Sequence, residues 1–209
     1  MIEPSTLLAF GLTAAVIVMS PGPDTVVIVR HALSAGRSEG LAAVLGVQLG
    51  LIIHTSLAAL GISALIAASP ALFRTLSLAG ALYLAWLGVR LLTAQGPAWI
   101  RTTPPTGAWR AGREALLTNL LNPKVLVLFL ALYPNFIVID PGRPPIVMQI
   151  VCLSLVLIGI NSVWQVGLVW SADRARLWFG RPGVSRLTQL CAGTAFTAFA
   201  LILAIEHVF

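Results

Sequence analysis

Apolar residues run along this chain in long blocks, and polar residues gather in short stretches between them. A membrane-spanning helix needs roughly 20 predominantly apolar residues. Blocks of about that length occur six times and predict spans at about 6–30, 41–66, 71–92, 114–137, 145–171 and 187–206. The pattern therefore predicts an all-α integral membrane protein with six transmembrane helices.

Composition supports the same class of protein. The 209 residues are 58% hydrophobic and 10% charged, and the mean hydropathy is +0.94, whereas soluble domains are about 25% charged. The net charge of +6 does not point to a nucleic-acid partner, because the cations lie in short loops and no nucleic-acid-binding signature is present. Two cysteines, Cys152 and Cys191, lie in apolar blocks without metal or redox spacing. We expect no cofactor and no metal.

Arginine residues divide unevenly between the two sets of loops. The loops after spans one, three and five contain ten cations, namely Arg30, Arg37, Arg90, Arg101, Arg110, Arg113, Arg174, Arg176, Arg181 and Arg186. The opposite side has only Arg74 and Arg143. Because positively charged loops stay in the cytoplasm, both termini are expected outside it.

A proline- and glycine-containing stretch at 96–112 predicts a cytoplasmic loop between two halves, 1–95 and 113–209, of three spans each. The halves share short matches. Ser20-Pro21 corresponds to Asn122-Pro123 in the first span of each half, and "LAGALY" at 78–83 corresponds to "CAGTAF" at 191–196 in the last. With three spans per half, the second copy runs the opposite way through the membrane. The sequence thus predicts the inverted repeat typical of secondary transporters.

Helix breakers interrupt the first span of each half, at Pro21-Gly22-Pro23 and at Asn122-Pro123. Irregular backbone at membrane depth is tolerated only where protein buries it or where it lines a wet cavity, so paired breaks point to a transport site. Asp24 follows the first break and Lys124 the second.

Each break is expected to start a new half-helix, with Asn122 as the N-cap and Pro123 as the first residue of the second one. Lys124 in that first turn is disfavoured by the helix dipole and by the membrane. A compensating anion is therefore predicted: Asp24, a substrate carboxylate, or each in turn. Two simpler interpretations stay open, namely that Asp24 only caps a helix and that Lys124 extends to the cytoplasmic edge.

Three further polar residues within spans are candidates for the site. His54 and Asn161 lie near mid-depth of spans two and five, and Gln48 precedes His54 in span two. A histidine at that depth can carry protons, or it can simply join two helices. Asn161 can contact substrate or bridge helices. Gly46 and Gly50 form a GxxxG pattern, which favours close helix packing.

The same stretches carry a family resemblance. The sequence resembles the lysine/threonine exporter family, the LysE/RhtB-type amino-acid exporters of bacterial inner membranes, in "SPGPD" (20–24), "AGRSEGLAAVLGVQLG" (35–50), "LAGALYLAWLGVRLL" (78–92) and "LLNPKVLVLFLALYPNF" (120–136). The resemblance implies six helices and export of small amino acids or their derivatives, driven by the proton gradient. Members export threonine, homoserine and its lactone, leucine, or basic amino acids. Whether the protein is a homodimer stays open.

The predicted residues suggest a mechanism. Lys124 and the half-helix N-termini can hold the carboxylate of an amino acid, and Asp24 can hold its ammonium group. Asp24 can then take up a proton once the substrate leaves, which couples the two by competition, and His54 is a second candidate for the proton. The alternatives are an integral-membrane enzyme and a passive channel or structural subunit. The sequence has no catalytic or nucleotide-binding motif that favours an enzyme.

Overall fold

The structure, a computed structural model, describes residues 2–20, 22–68, 107–140 and 142–172, together with single positions and pairs within 82–93 and 174–201. These described segments are helical and contain no β-strand. Most of the predicted third span, most of the predicted sixth span and most of the predicted loop lie outside the described residues, and so does Pro21. The all-α prediction is confirmed for the described residues.

Six α-helices follow one another in the described segments. They are α1 (Pro4–Met19), α2 (Pro23–Ala35), α3 (Arg37–Ala68), α4 (Ala108–Leu120), α5 (Pro123–Val127) and α6 (Ile146–Trp170). After α5 the chain continues as a π-helical turn, Leu128–Leu132, and a 3-10 helix, Tyr133–Phe136. α4 begins within the stretch 96–112, so the last residues of that stretch are helical. Trp109 and Arg110 are exposed there, so hydropathy alone could not assign this turn to a helix that begins outside the apolar block.

Two pairs of helices are sharply bent. α1 and α2 meet at 57°, and α4 meets the segment Lys124–Phe136 at 56°. Pro23 and Pro123 are the first residues of the helices that follow the bends. Proline fits this position because its fixed φ suits a helix start and its missing N–H has no helical acceptor there.

Long apolar helices dominate the described part of the chain. Arg37–Gly61 within α3 and the whole of α6 are each long and apolar enough to cross a membrane, and up to four spans result if each bent pair counts as one. Many large apolar side chains are exposed on these two helices, including Leu45, Leu49, Leu155 and Val163. Such surfaces are typical of helices that face lipid.

Glycine brings α3 and α4 into backbone contact. A Cβ built on Gly46 would overlap the carbonyl group of Gly112, and one built on Gly50 would overlap the side chain of Asn119. The close packing predicted from the GxxxG pattern is therefore present, and it joins α3 to α4 within the chain. This crossing places Asn119, near the end of α4, beside the middle of α3.

Aromatic side chains fix the segment that follows α5. Phe10 of α1 contacts the rings of Tyr133 and Phe136 edge-on, each at a centroid distance of 5.3 Å. Phe129 stacks on Tyr133 at 4.5 Å. The Tyr133 hydroxyl is also 2.9 Å from the hydroxyl of Ser154 on α6. The helix after the second break is thus held against both α1 and α6, and its first turn is directed toward the first break.

Candidate functional site

The two helix breaks lie next to each other. Lys124 Nζ donates a 2.6 Å hydrogen bond to the backbone carbonyl of Ser20, at the end of α1. A Cβ built on Gly22 would lie 3.6 Å from both Cδ and Nζ of Lys124. A carbonyl that a helix break leaves without its helical partner is thus satisfied by the lysine of the other break, as membrane depth requires.

Asn122 caps the second half-helix. Its Oδ1 accepts a 3.1 Å hydrogen bond from the backbone N–H of Lys124, and Pro123 is the first helical residue. The side chain of Asn122 is buried. It also lies close enough to the carboxylate of Asp24 to interact with it. Asn122 therefore shapes the site and lines it as well.

Asp24 stands in the first turn of α2, where a negative charge suits the helix dipole. Asn119 Nδ2 on α4 donates a 2.8 Å hydrogen bond to Asp24 Oδ2. The other carboxylate oxygen, Oδ1, is buried and has no hydrogen-bond partner among the described residues. Buried polar atoms are nearly always paired, so a buried carboxylate oxygen without a partner marks a place for a donor.

Asp24 and Lys124 form no ion pair in this structure, since the ion pairs of the described residues involve other groups. The nearest described partner of Lys124 Nζ is instead the neutral carbonyl of Ser20. Of the anions predicted to compensate the lysine, Asp24 does not do so directly in this conformation. The two opposite charges are therefore near each other without a direct ion pair between them.

A cavity with an empty volume of about 440 Å³, including its open mouth, lies between these elements. Four of the residues predicted for the site line it, namely Asp24, Asn122, Lys124 and Asn161, and Gly22 lines it as well. The remaining wall is formed by the amide and hydroxyl side chains of Thr25, Asn119 and Gln165 and by the apolar side chains of Ile17, Val18, Leu51, Val125, Leu128 and Leu157.

Two predicted residues lie one layer behind the cavity wall. Gln48 Nε2 donates a 2.9 Å hydrogen bond to Oε1 of Gln165, which lines the cavity. His54 is buried, its Nε2 is 3.4 Å from the backbone carbonyl of Asn119, and its ring stacks on Phe129 at 5.5 Å. Neither residue lines the cavity, so each acts on it through a neighbour.

Asn119 and Gln165 have roles that the sequence analysis did not assign. Both are amides within apolar blocks. Gln165 lies one helical turn after Asn161, which places the two side chains on the same face of α6. Asn119 lies at the end of α4, next to the second break, and that position is the signal in the sequence that points to it. No group of His, Cys, Asp or Glu side chains suited to a metal ion occurs in the described part of the chain.

The model of the LysE type translocator family matches residues 15–207, nearly the whole chain. The chain belongs to this family. The resemblance found in the break motifs is thereby confirmed, and the matched range includes both breaks and every residue that lines the cavity. No solved structure matches the chain.

Named relatives of this translocator are membrane and efflux proteins. The present chain is 33% identical over 200 residues to an uncharacterized membrane protein of Vibrio cholerae, and the alignment covers 94% of this chain and 95% of the relative. It is 30% identical over 197 residues to a homoserine/homoserine lactone efflux protein of Salmonella typhimurium, with 94% of each chain covered. A leucine efflux protein of Klebsiella pneumoniae is 27% identical over 200 residues, covering 94% of this chain and 93% of the relative.

The family match and the long apolar helices together show that this translocator is a multi-pass membrane protein. Two partly buried charged residues, Asp24 and Lys124, lie at the helix breaks, beside one cavity. Charges within membrane spans are costly and usually mark a pathway for substrate or ions. The cavity is therefore the candidate binding site of the translocator.

Proposed function

We propose that this translocator exports small neutral amino acids or their derivatives, in exchange for protons that enter the cell. One observation carries the proposal: a single cavity presents a carboxylate with a free buried oxygen and an ammonium group that are not paired with each other. Opposite charges held apart in this way match the two charged ends of an amino acid.

The ammonium group of the substrate binds Asp24. Oδ2 already accepts from Asn119, so the geometry leaves Oδ1 as the acceptor. An ammonium group has three donors and no acceptor, which is what a buried carboxylate oxygen without a donor requires. Charged hydrogen bonds of this kind contribute about 1.5–3 kcal/mol.

The carboxylate of the substrate binds at Lys124. This lysine donates to a neutral carbonyl, so exchanging that acceptor for a carboxylate strengthens the bond. Lys124 stands in the first turn of α5, and the N–H groups at a helix N-terminus favour an anion. The substrate thus supplies the compensating anion predicted for Lys124.

The side chain of the substrate is neutral. Apart from Asp24 and Lys124, the described wall of the cavity contains only apolar, amide and hydroxyl side chains and a glycine. The side chain of lysine or arginine would bring a second cation without a second acid. Homoserine and leucine, in the names of the two efflux relatives, both have neutral side chains.

Proton coupling follows from competition at Asp24. A proton bound to Asp24 removes the charge that the substrate ammonium needs, so the two ligands exclude each other. His54 contacts the backbone of Asn119, which binds Asp24, and it is the nearest second candidate for the coupling proton. Asn161 and Gln165 face the rest of the substrate. Gln48 positions Gln165 through the hydrogen bond between their side chains.

The proposal also includes the architecture of the protein, an inverted repeat, and its location in the bacterial inner membrane. The nearly equal bends of 57° and 56° support the repeat, because each is followed along the chain by a long apolar helix, α3 or α6. The distribution of arginine supports termini outside the cytoplasm. Assembly into a homodimer remains a prediction.

Inverted membrane vesicles test the proposal, because export appears there as uptake. The wild-type protein should accumulate a labelled neutral amino acid when the vesicle interior is acidified, and should accumulate lysine less. Asp24→Asn should lose this gradient-driven accumulation, because it lacks both the group that takes up the proton and the charge that binds the substrate ammonium. Lys124→Met should lose binding, with affinity lower by about ten- to a hundredfold, since a charged hydrogen bond contributes about 1.5–3 kcal/mol.

Matched controls are Asp140→Asn and Arg110→Met, which change the same charges at exposed positions. Both should transport normally at equal protein levels. A channel would equilibrate the amino acid without accumulating it, and an enzyme would convert it. Wild-type coupling in Asp24→Asn would leave Asp24 as a helix cap and contradict the proposed mechanism.

A further inference from the structure

One amide side chain of α6 lines the cavity with part of its hydrogen-bonding capacity unused. Gln165 is 3% exposed, and its Oε1 accepts a 2.9 Å hydrogen bond from Gln48 Nε2 of α3. A glutamine amide also has two N–H donors, and those of Gln165 have no partner among the described residues. Because the side chain lines the cavity, these donors remain for a ligand there.

A second amide lies beside the first. Asn161 is one helical turn before Gln165, on the same face of α6. It is 7% exposed and lines the cavity, and its amide has no hydrogen-bond partner in the described part of the chain. Buried amides are nearly always paired. Asn161 and Gln165, which we call the amide pair, therefore form a polar patch whose partners are missing.

Gln48 determines which edge of Gln165 is left over. Its Nε2 donates to Gln165 Oε1, while its own Oε1 is buried and has no partner among the described residues. The Gln48 amide thus makes its one described hydrogen bond to Gln165. Gln48 does not line the cavity, so it is a positioning residue. By occupying Gln165 Oε1, it leaves the N–H donors of Gln165 for the cavity.

The other polar groups of the wall have different tasks. Asn119 donates to Asp24, and Asn122 accepts from the backbone N–H of Lys124. The hydroxyl group of Thr25 comes directly after Asp24 in the chain, at the charged end of the cavity. In the proposed export cycle, Asp24 and Lys124 hold the two charged ends of the substrate. The amide pair is the part of the polar wall that remains for the substrate side chain.

We propose that the amide pair selects amino acids whose side chain carries a hydroxyl group, a role that rests on the proposed function. A hydroxyl group both donates and accepts, so it can accept from Gln165 and donate to the carbonyl oxygen of Asn161 together. Cβ atoms one helical turn apart are separated by about 5–6 Å, which lets both amides reach one small group. An alkyl side chain of equal size leaves both amides unpaired and therefore binds less tightly.

Amino acids that differ only in a hydroxyl or a methyl group measure this selectivity. Homoserine and norvaline form one such pair, and threonine and valine form another. Equilibrium binding of each labelled amino acid is measured on the purified protein at one pH. In at least one pair, the hydroxyl member should bind about tenfold more tightly than the methyl member, which is the factor that one or two neutral hydrogen bonds contribute.

Three substitutions should lower this affinity ratio. Gln165→Met keeps the length of the side chain but removes its donors, so the ratio should fall to about one, mainly through weaker binding of the hydroxyl member. Asn161→Leu, of similar size, should also lower it. Gln48→Met leaves the amide pair in place but releases Gln165, and should lower the ratio part of the way. Ser162→Ala, the control, removes a hydroxyl group from α6 outside the cavity wall and should retain the wild-type ratio.

The ratio separates recognition from packing, because a variant that only disturbs the fold weakens both members of a pair equally. Equal wild-type affinities within both pairs, or a wild-type ratio in a folded Gln165→Met protein, would overturn this inference and leave the proposed function standing. A full ratio in Gln48→Met would overturn the positioning role of Gln48. If none of the four amino acids binds, the proposed function fails, and this inference fails with it.

Discussion

Replacing Asn119 by leucine tests how the Asp24 carboxylate is held ready for a substrate ammonium. Leucine nearly matches asparagine in size but cannot donate to Asp24 Oδ2, which Asn119 Nδ2 contacts at 2.8 Å. The contact of His54 with position 119 uses the backbone carbonyl, so the substitution leaves it in place. The change therefore removes one hydrogen bond to the carboxylate and retains the contact of His54 with the backbone at position 119.

The size of the effect follows from that bond. A hydrogen bond to an ionised group contributes about 1.5–3 kcal/mol, and each 1.4 kcal/mol is a factor of ten. Loss of this hydrogen bond destabilises ionised Asp24 more than protonated Asp24. A proton therefore competes more effectively with the amino acid for the carboxylate. We expect binding to weaken by about ten- to a hundredfold where the two compete. Equivalently, the pH at which half of the bound amino acid is displaced should rise by about one to two units.

The assay is equilibrium binding of a labelled neutral amino acid to purified protein as a function of pH. Thr118→Val, at the neighbouring position of α4 that does not line the cavity, should retain the wild-type midpoint. Gly50→Ala is an independent way to disturb the same bond, because a Cβ there would overlap the Asn119 side chain, and its midpoint should move in the same direction. A folded Asn119→Leu protein with an unchanged midpoint would refute the reasoning.

Two further predictions concern packing and orientation. Gly46→Ala places a methyl group against the Gly112 carbonyl and should lower the free energy of unfolding by about 1–3 kcal/mol, measured as a lower melting temperature in detergent. Gly159→Ala, where no atom lies within 4 Å of the new Cβ, is the control, and equal melting temperatures would contradict the contact. A reporter active only in the cytoplasm, fused after Phe209, should be silent; full activity would contradict the outside position of the C-terminus.

The sequence predicts where the site lies better than which residues line it. Helix breakers in apolar blocks are visible because proline and glycine act locally, so the sequence alone identifies Asn122 as a cap and Pro123 as a helix start. Gln48 and His54 have a suitable depth in their predicted span, but they lie behind the cavity wall. α3 is apolar almost all round, so hydropathy does not reveal which face of the helix is directed at the cavity.

The contacts of His31 with Glu39 and Glu114 could not be predicted for a different reason. Arg30, Glu39 and Glu114 stand near the predicted ends of spans, where charges are ordinary and favour no partner. The pairs they form with His31, or with each other, connect residues up to 84 positions apart in the chain. Such pairs depend on how α2, α3 and α4 pack. That packing depends in turn on the contact of Gly46 with the backbone of Gly112. The pattern of small residues predicts a close helix contact at Gly46, but it does not say which helix is the partner.

Polar contacts join α2 to α4 at two places, Asp24 with Asn119 beside the cavity and His31 with Glu114 farther along α2. This arrangement has a consequence for the proposed transport. A ligand moves a protein between two states only if it interacts differently with each of them. Apolar packing between the helices is insensitive to charge, so it cannot register a proton or a substrate ammonium. The contact of Asp24 with Asn119 and the contacts of Glu114 with His31 do involve charge. In the proposed export cycle, the contact of Asp24 with Asn119 changes when the carboxylate gains or loses a partner, so this pair of helices can respond to the ligand that the cavity holds.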